Sequence, residues 1–268
     1  MCRHHRRPHV RRVVRPVAAV QGFLGALQFL TRVPVRTASA PSLTRSVPWF
    51  PVVGALVGTA LGLVILGLGE VVPMPVAAAV TVVLGVLLTG AFHEDGLADV
   101  ADAFAGGWDR EQRFRILADP LHGSYGVAAL SGSMLVRIAC LAVLTPPVAA
   151  AGLLAAHSLG RAAAVGTMTV APTAKPEGLG ADYTRTLRRG PALIGVLAGL
   201  AAAALATGWW VGPLALAAAA AAVVVGWLAV RKLGGITGDV LGAVEQVAEC
   251  LVLVVVTALA ARHQLWWR

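Results

Sequence analysis

Three aspartates, Asp95, Asp99 and Asp102, have the spacing of side chains that share one face of a helix. Because each helical residue advances about 100°, Asp99 lies roughly 40° from Asp95, and Asp102 lies roughly 20° from it on the other side. Like charges at this spacing repel one another, so we expect a bound cation to hold them together. Carboxylate oxygens favour a hard divalent ion such as Mg²⁺, whereas thiolates and imidazoles would indicate zinc. The alternative is a solvated acidic helix, which the small apolar residues on its other faces disfavour.

The segment around these aspartates concentrates the acidic residues of the chain. Seven of the 13 Asp and Glu residues fall between Glu94 and Asp119, and Asp119 is a candidate further ligand or base. His122 is a candidate proton carrier, with a structural hydrogen bond as the alternative. Gly123 and Gly126 would let backbone N–H groups approach a phosphate at the head of the next helix, although the same glycines also suit a plain turn.

The composition predicts an all-α polytopic membrane protein, a helical bundle of about six to eight transmembrane helices. The chain is 57% hydrophobic and 13% charged, whereas a soluble domain carries about a quarter charged residues. At about 20 apolar residues per crossing, the sequence predicts seven spans: 51–69, 75–92, 126–144, 148–170, 192–210, 213–230 and 244–261.

Residues 17–262 are expected to form a single transmembrane catalytic domain. A basic, disordered cytoplasmic tail, 1–16, precedes it, and a short tail, 263–268, follows it. The apolar stretch 17–30 is too short to span a bilayer, and we interpret it as an interfacial or re-entrant helix.

Basic residues are distributed unequally between the two ends of the predicted spans. Eighteen of the 22 Lys and Arg residues lie on one side, and none lies in the short loops 70–74, 145–147 and 211–212. The positive-inside rule therefore predicts a multi-pass protein of the cytoplasmic (inner) membrane with its active site facing the cytoplasm. Membrane orientation also explains the net charge of +9 better than nucleic acid does, because no basic surface interleaved with aromatic residues follows the N-terminal region.

Charged residues inside apolar spans are costly and usually functional. Arg161 lies within the fourth span, and we expect it to pair with an aspartate of the acidic helix or with a substrate phosphate. Arg137 has a similar position but lacks accompanying polar residues. Lys175 begins a basic loop, 175–189, that suits an anionic ligand, with membrane orientation and lipid contact as the alternative.

Acidic residues also mark the start of the last span. Asp239, Glu245 and Glu249 lie there, and lipid contact gives no reason for them. We interpret them as the second half of one polar site, with Asp239 and Glu245 as candidate substrate-binding residues. Acids, arginines and glycine-rich turns at one membrane face indicate phosphoryl transfer assisted by a divalent metal.

Several segments, in order along residues 22–250, resemble the cobalamin synthase family, the adenosylcobinamide-GDP ribazoletransferases or cobalamin-5′-phosphate synthases. The most specific is Phe92-His-Glu-Asp-Gly-Leu-Ala-Asp99, which continues to Asp102. The others are 27–35, 50–58, 119–126, the segment with Ser158 and Arg161, and 238–245.

The resemblance implies a reaction, a cofactor and site residues. The ribose hydroxyl of α-ribazole, or of its 5′-phosphate, would attack the cobinamide-side phosphorus of adenosylcobinamide-GDP, and GMP would leave with Mg²⁺ present. Asp95, Asp99 and Asp102 become metal ligands, one of them also a candidate base. Glu94, where many members carry Leu, adds charge beside the site and is a further candidate ligand. The partners expected are these small molecules and membrane lipid, without nucleic acid; the sequence is compatible with an oligomer.

Two other functions compete with this one. A CDP-alcohol phosphotransferase also uses a membrane helix rich in aspartate, but its pattern requires Asp-Gly-x-x-Ala-Arg, whereas Asp99 and Val100 follow Asp95-Gly-Leu-Ala here. A cation or metabolite transporter would line a path with acids, whereas the acids of this chain gather at one face.

Overall fold

The computed structural model describes residues 14–35, 42–174 and 187–267. In this part of the chain helices are joined by short turns, and the only β structure is one isolated bridge between Thr173 and Ile236. The helices are α1 (Val14–Leu30), α2 (Leu43–Ser46), α3 (Phe50–Gly69), α4 (Met74–Thr89), α5 (Phe92–Gly106), α6 (Arg110–Ile116), α7 (Ser124–Ala142), α8 (Pro146–Val170), α9 (Arg189–Thr207), α10 (Val211–Leu233) and α11 (Gly238–Ala260). The prediction of an all-α membrane bundle is confirmed.

Five segments of the described chain are long and apolar enough to cross a membrane, and a sixth is added if α4 and α5 form one bent span. The longest segment, Arg189–Leu233, contains both α9 and α10. Gly199 of α9 contacts Ser158, and Gly226 of α10 faces Thr167, only nine residues further along α8. One straight helix would place the two glycines about 40 Å apart, so α9 and α10 form a hairpin. Counting them separately gives seven spans, the number that the sequence predicts.

The acidic helix α5 lies inside the bundle, which differs from the expectation that the second span ends at residue 92. After α4, Gly90 and Ala91 both adopt left-handed backbone angles, with φ of +70° and +59°. The chain bends by 91° there, and α5 then packs against α7 and α11. Glycine adopts this conformation without steric cost. The aspartates therefore belong to a helix that packs within the bundle and not to an external loop.

Helix α8 forms the centre of the bundle and packs against α3, α9, α10 and α11. Its contact with α3 is close because glycines face it. A Cβ atom at Gly58 would lie 2.5 Å from the carbonyl oxygen of Leu153 and 2.6 Å from Cα of Leu154. Small residues allow membrane helices to approach in this way, and the close contact fixes the depth of the polar residues of α8.

Some boundaries differ from those that the sequence predicts. Helix α1 begins at Val14, within the predicted tail, while residues 1–13 lie outside the described residues. Helix α11 begins at Gly238, six residues before the predicted span, because the hydroxyl of Thr237 accepts the N–H of Val240 as an N-cap. At the other end, Trp267 Nε1 donates to the carbonyl of Ala206 at 2.9 Å, so the short C-terminal tail packs near the α9–α10 turn.

Replacing Gly58 with leucine should therefore destabilise the bundle, because its side chain would meet the backbone of α8. Overpacking of this kind typically costs about 1–3 kcal/mol, and a rigid backbone wall favours the upper end. Gly67→Leu on the same helix is the control, since nothing lies within 4 Å of a Cβ atom there. Thermal unfolding in detergent should show a lower midpoint for Gly58→Leu only. Equal midpoints for the two variants would contradict the packing of α3 on α8.

Candidate active site

The three aspartates of α5 lie on one face of the helix, as the sequence predicts, but their surroundings differ. The side chain of Asp95 is 64% exposed and that of Asp99 is 13% exposed, whereas Asp102 is buried. The face therefore runs from an open rim at Asp95 to the interior of the bundle at Asp102.

Asp102 caps the next membrane helix. Its two carboxylate oxygens accept the backbone N–H groups of Gly123, at 2.6 Å, and Gly126, at 2.9 Å, at the start of α7. The helix N-terminus carries partial positive charge, which stabilises the carboxylate there. The two glycines thus hold an anion of the protein itself, and their predicted contact with a substrate phosphate stays a prediction.

His122 lies between the other two aspartates. Its Nε2 atom is 3.4 Å from Asp95 Oδ1, and its Nδ1 atom is 3.3 Å from Asp99 Oδ1. A protonated imidazole can donate from both nitrogens, so one ring can serve both carboxylates. The position agrees with the predicted proton carrier, while the catalytic role of His122 stays a prediction.

Helix α11 adds Asp239 to the same region. A Cβ atom at Gly96 would lie 2.7 Å from the carbonyl oxygen of Asp239, so the backbones of α5 and α11 touch. The carboxylates of Asp95, Asp102 and Asp239 all lie close enough to Asp99 for their negative charges to repel its own. The expectation that acids from distant parts of the chain meet at one end of the bundle is confirmed for Asp239. We call Asp95, Asp99, Asp102, His122 and Asp239 the aspartate site.

The donor chemistry of the aspartate site fits Mg²⁺. The site offers four carboxylates beside a single imidazole, and an open rim at Asp95 leaves room for water and substrate oxygens. Magnesium is usually bound by one or two carboxylates together with waters and substrate phosphates, so it requires no closed cage of protein ligands. Asp95 and Asp99 are the residues that would hold such an ion, because they lie nearest the open rim.

A second polar cluster lies deeper in the bundle, and we call it the ion network. It joins α5, α7, α8 and α11 through buried side chains, and its members are Glu94, Arg137, His157, Arg161, Glu245, Gln246 and Glu249. Within the described residues, His157, Glu245 and Glu249 alone bring three possible metal ligands within 4.8 Å of one another. Arg161 already pairs with both glutamates, so this trio does not fit a cation.

Two arginines pair with the three glutamates of the ion network. Arg137 Nη1 lies 3.2 Å from Glu94 Oε1 and 3.3 Å from Glu249 Oε2. Arg161 Nη1 lies 3.0 Å from Glu249 Oε1 and also pairs with Glu245. Arg161 therefore has glutamates of α11 as its partners, and not the aspartate or substrate phosphate that we expected. Removing one member of such a buried pair typically costs about 3–5 kcal/mol.

Four of the predicted site residues lie apart from the aspartate site. Arg161 and Glu245 are buried in the ion network, and Glu94 joins them about 100° around α5 from Asp95. Asp119 lies on an exposed turn, where its carboxylate accepts the N–H of Leu121 at 3.0 Å. In the structure these residues contact other groups of the protein. Their catalytic, substrate-binding and metal-binding roles stay predictions.

Lys175 lies outside the described residues. Within the ion network, neither His157 nor Gln246, whose amide donates to Glu94 at 3.3 Å and to Glu245 at 3.1 Å, is among the predicted site residues. Cations within apolar spans need buried anions as partners, so the sequence signal for the ion network is the presence of both on apolar helices. Arg137 and Arg161 could have been matched with the glutamates of the last span on that basis.

Comparison with known proteins agrees with the resemblance. A family profile described as cobalamin-5-phosphate synthase matches residues 22–257. The chain belongs to this family. A relative from Chlorobaculum tepidum, named adenosylcobinamide-GDP ribazoletransferase, is 38% identical over 87% of this chain and 93% of its own length. Relatives with the same name from Pseudomonas syringae pv. syringae and Azorhizobium caulinodans are 37% and 38% identical, over 87% and 89% of this chain and 98% and 96% of their own lengths. No solved structure matches the chain.

For this member of the cobalamin-5-phosphate synthase family, the cap between Asp102 and α7 can be tested with alanine. In Gly126→Ala, the added Cβ atom would lie 2.9 Å from the carbonyl of Ala98 and would collide with the Asp102 carboxylate. Displacing that carboxylate by about 1 Å should lower turnover on the order of 100-fold. Gly132→Ala on the same helix, where nothing lies within 4 Å, should keep full activity. Unchanged turnover in Gly126→Ala would show that the capped arrangement has no part in the site.

Proposed function

We propose that the protein is an adenosylcobinamide-GDP ribazoletransferase that joins adenosylcobinamide-GDP to α-ribazole, or to its 5′-phosphate, and releases GMP in cobalamin biosynthesis. The observation that carries the proposal is the aspartate site, in which Asp95 and Asp99 face an open rim beside His122. The names of the relatives supply the substrates, and the acidic, partly open site supplies a chemistry suited to a diphosphate.

The reaction is a substitution at phosphorus. An oxygen–phosphorus bond forms between the ribose hydroxyl and the cobinamide phosphate, the bond to the GMP phosphate breaks, and the hydroxyl proton passes to a base. His122 lies within 3.4 Å of both outer aspartates, so it is placed to receive this proton and share it with a carboxylate. Mg²⁺ held by Asp95 and Asp99 would neutralise the charge of the diphosphate and of the leaving GMP.

Asp102 and the ion network hold α5 in place. Asp102 ties α5 to the head of α7, which sets how far the outer aspartates extend from the bundle. The ion network holds the other end of α5, where Glu94 pairs with Arg137. The glutamates inside the bundle are buried against arginines, whereas Asp95 carries its negative charge at the open rim, where a substrate complex can approach it.

The proposed location is the cytoplasmic membrane, with the aspartate site facing the cytoplasm. The support is the bias of Lys and Arg toward the end of the bundle that carries this site. The proposed partners are the two small-molecule substrates and membrane lipid.

Purified protein in detergent, given Mg²⁺, adenosylcobinamide-GDP and α-ribazole, should release GMP together with a cobalamin product. Asp95→Asn should lower this rate on the order of 100-fold or more, because it removes a charged ligand for the metal that would neutralise the diphosphate. Folding should be unaffected, since the Asp95 side chain is 64% exposed. Liquid chromatography of GMP and cobalamin provides the measurement.

Glu111→Gln is the matched control, because Glu111 is an exposed carboxylate on the neighbouring helix α6, and its loss should leave the rate unchanged. Full activity in Asp95→Asn would contradict the role of the aspartate site. Cation flux into proteoliposomes without GMP release by the wild type would instead favour a transporter.

A further inference from the structure

A cavity lies between α8, α9 and α10, away from the side chains of the aspartate site. Its volume is about 600 Å³, within the range of ligand pockets. The lining is small and aliphatic, for example Ala163, Gly166, Leu200 and Ala222, and the hydroxyl of Thr167 is already bonded to the carbonyl of Ala163 at 2.9 Å. Such a lining offers few hydrogen-bond partners to a polar ligand.

The cavity opens sideways, through the outer surface of the bundle. Val170, Val223 and Trp227 line it, and they are 83%, 69% and 54% exposed. Exposed apolar side chains on a membrane-spanning bundle face lipid. The chemical species that reaches this opening is therefore a hydrocarbon chain of the bilayer.

Two arginines lie on helices that line the cavity, Arg189 at the start of α9 and Arg231 near the end of α10. Arg189 precedes Val196 by seven residues, so the two share a face of α9, and Val196 lines the cavity. Arg231, at the end of α10, places its guanidinium 5.0 Å from the ring centre of Trp227. Both arginines are exposed, so two helices that line the apolar cavity each carry an accessible cation.

The two adjacent cations near the end of α10, Arg231 and Lys232, point in different directions. Lys232 points the other way, where its ammonium donates to the carbonyl of Phe104 at 2.8 Å and helps to hold α5. Arg231 instead lies over an aromatic side chain at the cavity rim, an arrangement that suits the boundary between hydrocarbon and headgroups.

We propose that this cavity binds an anionic phospholipid, with an acyl chain between α8, α9 and α10 and the headgroup phosphate at Arg189 and Arg231. Basic pockets between membrane helices bind anionic headgroups in this way. A nucleoside substrate fits less well, because its ribose hydroxyls would find too few partners in the lining. This inference is independent of the proposed reaction.

Tryptophan fluorescence in proteoliposomes tests the proposal. Phosphatidylglycerol with brominated acyl chains, mixed into phosphatidylcholine, should quench Trp227 more strongly than brominated phosphatidylcholine at the same mole fraction. Trp227→Phe identifies the part of the signal that comes from this residue. Arg189→Gln and Arg231→Gln should each lower the preference for phosphatidylglycerol on the order of fivefold. Arg262→Gln, at the opposite end of the bundle, should leave it unchanged.

The acyl-chain position is tested separately by filling the cavity. Nothing lies within 4 Å of a Cβ atom at Gly166, so Gly166→Leu should fold, occupy the cavity and abolish the preference. Gly132→Leu on α7, where a Cβ atom also meets nothing, is the control. Equal quenching by the two brominated lipids in the wild type would overturn the proposal. So would a preference that survives in Gly166→Leu or in the double glutamine variant, and so would protection of Trp227 from both lipids by added α-ribazole.

Discussion

Charge pairing inside an apolar bundle is the constraint on which this structure depends. Arg137 and Arg161 lie on membrane helices, where an unpaired charge near the bilayer centre costs about 2.5–3.5 kcal/mol even on the lower scales. Their partners come from two other helices: Glu94 from α5, and Glu245 and Glu249 from α11. Satisfying the arginines therefore brings four helices together in one relative position. The pairs add specificity of position more than stability, because burying each charge has its own cost.

That position determines where the aspartates lie. Helix α5 is held at its beginning by Glu94, along its length by the backbone contact of Gly96 with Asp239, and toward its end by Asp102. With three anchors, the face that carries Asp95 and Asp99 is turned toward the open rim. The bend at Gly90 and Ala91 makes this possible, since it frees α5 from the axis of α4. The site thus lies on a helix that turns by 91° from the axis of α4, with its acids at one end of the bundle.

Much of this could be predicted from the sequence, because the signals were local. The helical spacing of the three aspartates, the long apolar runs and the skewed basic residues all follow from period and composition, and the motif from Phe92 to Asp99 indicated the family. The bend before α5 could not be predicted, since an alanine with positive φ has no sequence signature. The partners of Arg161 were also missed, because local spacing does not reveal which of several distant acids a buried cation meets. Glu94 shows the same limit: its neighbour in sequence is Asp95, yet its partner in space is Arg137.

We propose that buried charge pairs and the capped helix α7 present Asp95 and Asp99 as oxygen ligands for a divalent cation. Manganese binding, followed by the paramagnetic resonance signal of free Mn²⁺, tests this directly, because Mn²⁺ accepts the same hard oxygen ligands as Mg²⁺ and is visible to the method. Wild-type protein with adenosylcobinamide-GDP should remove Mn²⁺ from solution, whereas the folded Asp95→Asn, Asp99→Asn double variant should not. Equal Mn²⁺ binding by the two proteins would contradict the proposal.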